Sequence, residues 1–527
     1  MARDPNVFEQ PDAGTVTHDE PPPSLQHLPH GGAGDRAFFG HPRGLSTLFF
    51  TEMWERFSYY GIRPLLVLFM TAALASGGFG FDRPTASSIV GIYAASVYLA
   101  SLPGGWVADR ILGLRRSIWY GAILIALGHL AIGLSAVFAK PVFFLGLILI
   151  VLGTGLLKPN ISAIVGDLYP EGGARRDAGF SIFYMGINVG ALVAPLVTGY
   201  LGEQVGWHWG FGAAGIGMLV GVITFKLREG TLGRIGEAPS GDAAERASGI
   251  RMLAIGMAVL VAVVALVAFG IVPFNPVWVA SRTSYFMLAL ALLYFAYLFF
   301  LGGLTGDEKK RVVVIIVLFF FSIVFWAAFE QAPTSLNLFA ADYTDRRIGG
   351  WEMPILWLQA ANSFFVIAFA PVFAAIWTAL GRRGRDPSHP AKFSFALAAA
   401  GLGFLVMVFA AQRVLDTGGG RVSPWWLVVS YLFQTIGELS LSPVGLSAMT
   451  QLAPRKFGGQ MMGVWFMSIA MGNLIAGIVG GEVDPEKLDQ MPALFQRTTT
   501  SLFVAAIVCA LLIIPIRRMM ATRRAER

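Results

Sequence analysis

The chain consists of long apolar segments separated by short polar loops. A helix that crosses a bilayer needs about 20 mainly apolar residues, and the hydrophobic pattern predicts a series of such helices. Their approximate bounds are 46–72, 88–108, 117–137, 141–166, 178–201, 208–227, 251–272, 283–303, 312–340, 353–380, 391–412, 424–450, 460–482 and 495–517. These fourteen segments form a group of six, a pair and a second group of six. The pattern therefore predicts an all-α membrane protein.

The loops and tails divide the chain further. We expect a disordered cytoplasmic tail over 1–44, because this stretch is rich in Pro, Gly, His and acidic residues and has no apolar periodicity. The other expected units are a six-helix bundle over 45–228, a cytoplasmic linker over 229–250, an inserted two-helix hairpin over 251–311, a second six-helix bundle over 312–517 and a basic cytoplasmic tail over 518–527. Two such bundles predict a transporter whose site lies between them, near the bilayer midplane. The hairpin has few charges inside its helices, so we expect it to lie outside the pathway.

Composition supports a protein with many membrane spans. Only 13% of the 527 residues are charged and 55% are hydrophobic, whereas soluble domains are about 25% charged. The net charge of +7 does not indicate nucleic-acid binding, because the basic residues lie in short loops between apolar segments. Most of these loops fall on one side of the predicted topology, which places both termini in the cytoplasm. The single cysteine, Cys509, excludes an intrachain disulfide.

The first predicted helix carries a concentration of charge between Glu52 and Arg63. Positions 52, 55, 56, 59, 60 and 63 fall on one helix face. A charged side chain at the bilayer centre costs about 2.5–3.5 kcal/mol on insertion scales, so this face must meet water or opposite charges. The pattern favours a transport pathway or a proton relay. The alternative is a cluster at a helix end, whose side chains extend to the lipid headgroups.

A loop rich in glycine and charge follows the second predicted helix, from Gly105 to Arg116. Glycines permit a tight turn and close helix approach, and Asp109 can form a charge latch with Arg110 and the arginines that follow. We therefore expect a gating loop. It resembles the loop motif of the major facilitator superfamily, which implies a fold of two six-helix bundles, here with two extra transmembrane helices. A basic loop that only sets the topology is the alternative.

Lys158 lies inside a predicted helix and is followed by Pro159, which can bend or break that helix. An intramembrane lysine needs a partner or water. Glu52 or Glu55 is the expected partner, and Asp167 or a lipid phosphate is the alternative.

The fifth predicted helix contains Gly186 and Gly190, which make a face of small residues for close helix packing. Asn188 lies between them and adds a polar group. It serves either the pathway or a hydrogen bond to a neighbouring helix.

Taken together, three motifs of the first half resemble those of the proton-coupled oligopeptide transporter (POT) family. They are Glu52-x-x-Glu55-Arg56, Lys158-Pro159-Asn160 and Phe183-Tyr184-x-x-Ile187-Asn188-x-Gly190. Segments 325–331, 359–362 and 437–443 resemble motifs of the family's second half. The form with fourteen helices is typical of bacterial members, so the resemblance implies a multi-pass protein of the bacterial inner membrane.

The resemblance implies a proton-coupled symporter that imports di- and tripeptides by alternating access. It assigns proton coupling to Glu52, Glu55, Arg56, Lys158 and Glu330. It assigns peptide binding to Tyr59, Tyr60, Arg63, Tyr98, Lys158, Asn188, Trp326, Glu330, Asn362, Glu438, Ser442 and Trp465, and the gating loop to Gly105, Asp109 and Arg110. A zwitterionic peptide needs both a cation and an anion, and these lie in different halves of the chain. The aromatic residues among them are packing residues under the alternative interpretation.

The implied partners are di- and tripeptides, protons and the lipid bilayer. We expect no nucleic acid, no obligatory protein partner, no metal and no cofactor beyond the proton as coupling ion. His129, in the middle of a span, is expected to be structural. One departure from the family pattern is Pro333, which follows Glu330 closely and is expected to kink the helix there.

Three other functions stay open at this point. The first is a proton-coupled carrier of another small anion or drug-like substrate on the same fold. The second is a membrane-embedded enzyme, although the sequence has no metal-ligand cluster, nucleophile elbow or phosphate-binding loop to support it. The third is a sensor that does not transport.

Overall fold

A computed structural model describes residues 35–138, 140–170, 173–237 and 243–521. Its long helices are α1 (Arg43–Thr71), α2 (Arg83–Val107), α3 (Leu114–Leu134), α4 (Lys140–Asp167), α5 (Gly173–Tyr200), α6 (Trp207–Arg228), α7 (Ala243–Ala268), α8 (Pro276–Phe300), α9 (Gly306–Phe329), α11 (Leu356–Arg382), α12 (His389–Asp416), α13 (Trp425–Leu452), α14 (Gly458–Gly480) and α15 (Met491–Ala521). The short helix α10 (Asn337–Tyr343) comes after α9, and a two-stranded hairpin, β1 (Arg347–Ile348) with β2 (Trp351–Glu352), follows it. Short π-helical segments lie at Ala108–Leu112, Leu201–Val205 and Ala332–Leu336, and 3-10 turns at Leu74–Ser76, Glu229–Leu232, Arg455–Phe457 and Pro485–Gln490.

Thirteen of the predicted spans coincide with one long helix each, and the span predicted over 312–340 covers α9, the π-helical segment that follows it and most of α10. The predicted all-α membrane fold is therefore confirmed. Within the described residues, thirteen helical segments are long and apolar enough to cross a membrane. The long helix outside that set is α1, which carries the predicted concentration of charge. The sequence feature that points to function is therefore also the feature that makes α1 the least membrane-like helix by composition.

Described elements lie inside two of the predicted segments. The disordered tail expected over 1–44 lies outside the described residues up to position 34, but residues 35–42 are ordered. Arg175 donates a hydrogen bond to the backbone oxygen of Asp35, and Phe38 packs against Phe49 with 5.9 Å between ring centroids. In the second segment, α7 begins at Ala243 inside the expected linker 229–250, because Ala and Glu there favour helix before the apolar stretch begins. Residues 522–527 of the expected basic tail lie outside the described part of the chain.

Small residues allow α1 and α5 to pack closely in the first half. A Cβ atom added at Gly190 would lie 2.2 Å from the backbone oxygen of Met53, and one added at Gly186 would lie 2.8 Å from the ring of Phe49. The predicted small-residue face of α5 is therefore confirmed, and it holds the charged helix α1 against its neighbour.

The first and last six helices meet along two pairs, α2 with α14 and α5 with α11. The hydrogen bonds and ion pairs that join them lie toward the side where α1 ends, which we call the far side. Arg83 Nη1 donates to Asp342 Oδ2 at 2.6 Å and to the backbone oxygen of Val483 at 3.0 Å. On the other helix pair, Glu203 accepts a hydrogen bond from the backbone N–H of Ile355 at 2.9 Å. The two groups of helices are therefore fastened together on the far side.

The two extra helices differ in how they pack. In α7 the only buried residue is Gly249, so this helix is exposed almost all round. In contrast, α8 buries one face against α2, α9 and α14, and its Tyr294 hydroxyl donates to Gln460 Oε1 at 2.6 Å.

We expect the substitution Gly190→Ala to destabilise the protein, because its Cβ would meet the backbone oxygen of Met53. Overpacking of this kind costs about 1–3 kcal/mol. Thermal unfolding of the purified protein measures it. The matched control is Gly212→Ala in α6, where an added Cβ meets nothing within 4 Å and the change favours helix. Equal melting temperatures for the two variants would contradict the proposed close contact.

Candidate functional site

The charged residues of α1 form a compact buried cluster. Arg56 Nε lies 3.0 Å from Glu52 Oε1 and 2.6 Å from Glu55 Oε2. The side chains of all three are at most 4% exposed. Thr154 of α4 donates to Glu55 Oε1 at 3.4 Å. The cluster faces the protein interior, so the alternative of side chains that extend to the headgroups is wrong, and two carboxylates share one guanidinium.

The sequence predicts Glu52 or Glu55 as the partner of Lys158, but Lys158 pairs with neither. Its ammonium lies 4.0 Å from the centroid of the Tyr98 ring. Across the described residues, no carboxylate comes within the 4.0 Å ion-pair distance of Lys158. The physical reason is that Arg56, on the same helix as both glutamates, already occupies them. Lys158 is therefore held by a cation–π contact, which is weaker than a buried ion pair.

A second buried ion pair joins the two halves of the chain. Arg63 of α1 forms an ion pair with Glu330, which directly follows α9. The same nitrogen, Nη2, donates to Asn473 Oδ1 of α14 at 2.7 Å. Sequence reasoning missed Asn473, whose only signal was an amide in the middle of an apolar span. These three residues connect α1, α9 and α14 at one point.

The backbone at Glu330 is irregular, as Pro333 predicted. Helix α9 ends at Phe329, and Glu330 is its C-cap. The chain then forms the π-helical segment Ala332–Leu336 before α10 begins. Proline lacks an N–H and its ring clashes with the preceding turn, so a regular helix cannot continue through it. The break places the Glu330 side chain at the joint between two helical pieces.

Tyr59 lies between the two charged groups of α1. The guanidinium of Arg56 is 5.4 Å from the centroid of its ring, and that of Arg63 is 5.8 Å away. The ring of Tyr60 lies 5.2 Å from that of Tyr59, and Tyr93 of α2 stacks on Tyr59 at 6.2 Å. Tyr59 and Tyr60 therefore pack together beside the two cations, and Tyr93 is a further aromatic neighbour that sequence reasoning did not identify.

The acidic group of the second half is Glu438 of α13. Its Oε2 accepts a hydrogen bond from Asn362 Nδ2 of α11 at 3.3 Å, and the same amide donates to Thr435 Oγ1 at 2.8 Å. Ser442 lies one helical turn after Glu438 and is partly exposed. Within the described chain, Glu438 has no cation at ion-pair distance, and its side-chain partner there is the Asn362 amide.

The two predicted pocket tryptophans are both buried. Trp326 is 6% exposed, and its indole N–H has no hydrogen-bond acceptor among the described residues. The Trp465 ring packs on Gly445, where an added Cβ would lie 2.1 Å from it. Trp465 therefore fits helix packing at least as well as a pocket role.

The structure does not bring several other predicted residues into contact with the charged residues of the site. Asn188 donates to the backbone oxygen of Tyr184 on its own helix at 2.9 Å. In the gating loop, Asp109 and Arg110 are exposed and, in the described part of the chain, lie beyond 4.0 Å from any opposite charge, so the expected latch is absent. An added Cβ at Gly105 meets nothing within 4 Å, whereas one at Gly104 would lie 1.9 Å from the backbone oxygen of Gly155. Gly104, not Gly105, permits the close approach of α2 to α4.

His129 has a specific partner that the sequence did not reveal. Its Nε2 lies 2.5 Å from Ser58 Oγ, and both side chains are buried. Ser58 directly precedes Tyr59, so this contact helps to hold the face of α1 that carries the charges.

The chain is similar to several known transporters. The sequence model of the POT family matches residues 115–489. The peptide transporter YePEPT of Yersinia enterocolitica subsp. palearctica is 50% identical over 495 residues, which cover 92% of this chain and 97% of that protein. The di-/tripeptide transporter of Lactococcus lactis subsp. cremoris is 40% identical over 450 residues, which cover 82% and 88% of the two chains.

Structural comparison agrees with the sequence comparison. A crystal structure of the peptide transporter POT in complex with sulfate superimposes on this chain with a TM-score of 0.85 at 41% identity. The match covers 92% of this chain and 97% of the other. The chain therefore belongs to the POT family and is a multi-pass membrane transporter of the major facilitator type.

Proposed function

We propose that this protein is a proton-coupled symporter that imports di- and tripeptides by alternating access. The observation that carries the proposal is the buried Arg63–Glu330 ion pair between the two halves. A charge pair in this position can be opened by a proton on the carboxylate and by a peptide carboxylate on the guanidinium. Transport of peptides by the similar proteins supports the same substrate class.

The proposed peptide lies between the two halves with its ends held by opposite charges. Its carboxylate binds Arg63 and Lys158, and Lys158 is available because, among the described residues, an aromatic ring and no carboxylate holds it. Its ammonium binds Glu438, which Asn362 orients. The other residues proposed to contact the peptide are Tyr59, Tyr60, Tyr98, Asn188, Trp326, Ser442 and Trp465. Of these, Asn188 bonds its own helix and Trp465 packs on Gly445 in the state described here.

Proton coupling is proposed to use both buried charge groups. A proton on Glu330 neutralises the partner of Arg63 and frees the guanidinium for the peptide. In the α1 cluster, two carboxylates face one guanidinium, so a proton on Glu52 or Glu55 cancels the excess negative charge. In this proposal Arg56 and Lys158 take part in proton coupling as the positive charges close to these two carboxylates.

The conformational step is proposed to separate the halves on the far side. The bundles 45–228 and 312–517 rock against each other, and the hairpin 251–311 stays outside the pathway. The basic loops lie on the side where α1 begins, so this side faces the cytoplasm and the far side faces the exterior of a bacterial inner membrane. The fastened far side corresponds to a state that is closed to the exterior.

Uptake of labelled dialanine into proteoliposomes tests the substrate and the two-half site together. With an inward proton gradient we expect accumulation by the wild type, since one proton moving through 100 mV supplies about 2.3 kcal/mol. We expect Glu52→Gln and Glu438→Gln each to abolish it. The control is Glu229→Gln, a carboxylate outside the site that pairs with Lys226.

The outcomes of this experiment separate the candidate functions. Folded wild-type protein that takes up no dipeptide would favour a carrier of another small anion or drug-like substrate. Uptake that survives Glu438→Gln would overturn the proposed ammonium site. Equal uptake with and without the gradient would overturn proton coupling.

The substitution Glu330→Gln tests the ion pair between the halves. Because glutamine resembles a protonated glutamate, we expect loss of gradient-driven accumulation and retention of exchange between internal and external peptide. Counterflow in preloaded proteoliposomes measures that exchange. Asn473→Ala is the comparison, since it removes the neighbouring hydrogen bond to Arg63 without removing a titratable group. Asn473→Ala should lower uptake but keep its dependence on the gradient. Loss of gradient dependence in Asn473→Ala, with dependence retained in Glu330→Gln, would contradict the role of Glu330.

A further inference from the structure

A groove lies on the outside of the second half, away from the site between the halves. It is formed by α9, α14 and α15, has a volume of about 300 Å³ and is partly open to the surroundings. Its floor is apolar and includes Ile323, Val324, Ile475, Val479 and Leu502. An apolar groove on a membrane-spanning surface is filled from the bilayer, because water there would leave apolar surface hydrated.

The far-side end of the groove carries one acidic and one basic side chain. Glu482 follows the end of α14, and Arg497 lies in the second turn of α15. The two side chains form an ion pair and are exposed, 42% for Glu482 and 66% for Arg497. An exposed pair of this kind contributes little to stability, so both groups can exchange partners at low cost. Gly481 adjoins Pro84 at the start of α2, which places this end of the groove at the level where the helices leave the membrane.

The buried side of the groove reaches the break after α9. Gln331 lines it and is 2% exposed. Its Nε2 donates to the backbone oxygen of Ala327 at 3.1 Å and to Thr498 Oγ1 of α15 at 3.4 Å. The groove is therefore a defined space between three helices, with a polar anchor at its base.

We propose that this groove binds a phospholipid with a primary amine and a phosphate in its headgroup, as in phosphatidylethanolamine, from the far-side leaflet. The phosphate binds Arg497, the ammonium binds Glu482, and one acyl chain lies along the apolar floor. Charge-assisted hydrogen bonds of this type are stronger than neutral ones. An anionic lipid such as phosphatidylglycerol satisfies Arg497 but brings its negative charge against Glu482. The pair thus selects a zwitterionic headgroup.

Lipid titration of the purified full-length protein tests the proposal. Native mass spectrometry in detergent counts bound lipids and gives apparent affinities for phosphatidylethanolamine and phosphatidylglycerol. We expect the wild type to prefer phosphatidylethanolamine. Arg497→Gln should weaken binding of both lipids about tenfold, the scale of one charge-assisted hydrogen bond. Glu482→Gln should remove the preference by improving phosphatidylglycerol binding, because the repulsive carboxylate is gone.

Two further variants separate this groove from general lipid binding. Val479→Phe fills the floor and should weaken binding of phosphatidylethanolamine while both headgroup partners stay in place. Lys487→Gln removes a cation on the same side that pairs with Asp484 outside the groove, and should leave binding unchanged. Wild-type affinity in Arg497→Gln and Val479→Phe would overturn the proposal, as would equal binding of the two lipids by the wild type. Neither readout depends on peptide transport, so failure here leaves the proposed function intact.

Discussion

The contact on which the site depends is the buried ion pair between Arg63 and Glu330. Breaking a buried ion pair by removing one partner leaves an uncompensated charge and costs several kcal/mol, so both groups are held together until another charge replaces one of them. Asn473 adds a third helix to the same point. We propose that this pair, costly to break yet open to exchange with a proton and a carboxylate, couples the two halves of the chain to the ligands between them.

The cost of an uncompensated buried charge also explains the composition of α1. Helix α1 carries Glu52, Glu55, Arg56 and Arg63, and each would be unfavourable against lipid. All four are instead buried within protein, and the small residues of α5 let the adjacent surface of α1, which includes the Cβ of Arg56, pack closely. Tyr59 separates the two charge groups and contacts both cations. The charges are tolerated because neighbouring helices, and not lipid, form their surroundings.

Sequence patterns predicted what depends on local properties of the chain. The apolar segments located all fourteen spans, and Pro333 correctly predicted the break after Glu330. Both features depend only on residues within the segment itself. Contacts between distant helices were harder. Lys158 met an aromatic ring instead of a carboxylate, since hydrophobic periodicity does not reveal which of two cations reaches a shared acid. Asn473 was missed for the same reason: a single amide in an apolar span gives no indication of its partner.

The break after α9 lies between the ion pair that joins the two halves and the outer groove. Backbone groups freed inside a membrane must find partners within the protein, and here side chains supply them. Gln359 Nε2 donates to the backbone oxygen of Ala332 at 2.5 Å. Gln331 Nε2 donates to the backbone oxygen of Ala327. Glu330 therefore faces the ion pair while its neighbour Gln331 faces the outer groove. The proposed occupant of the groove and the proposed proton on Glu330 therefore meet at one turn of the chain.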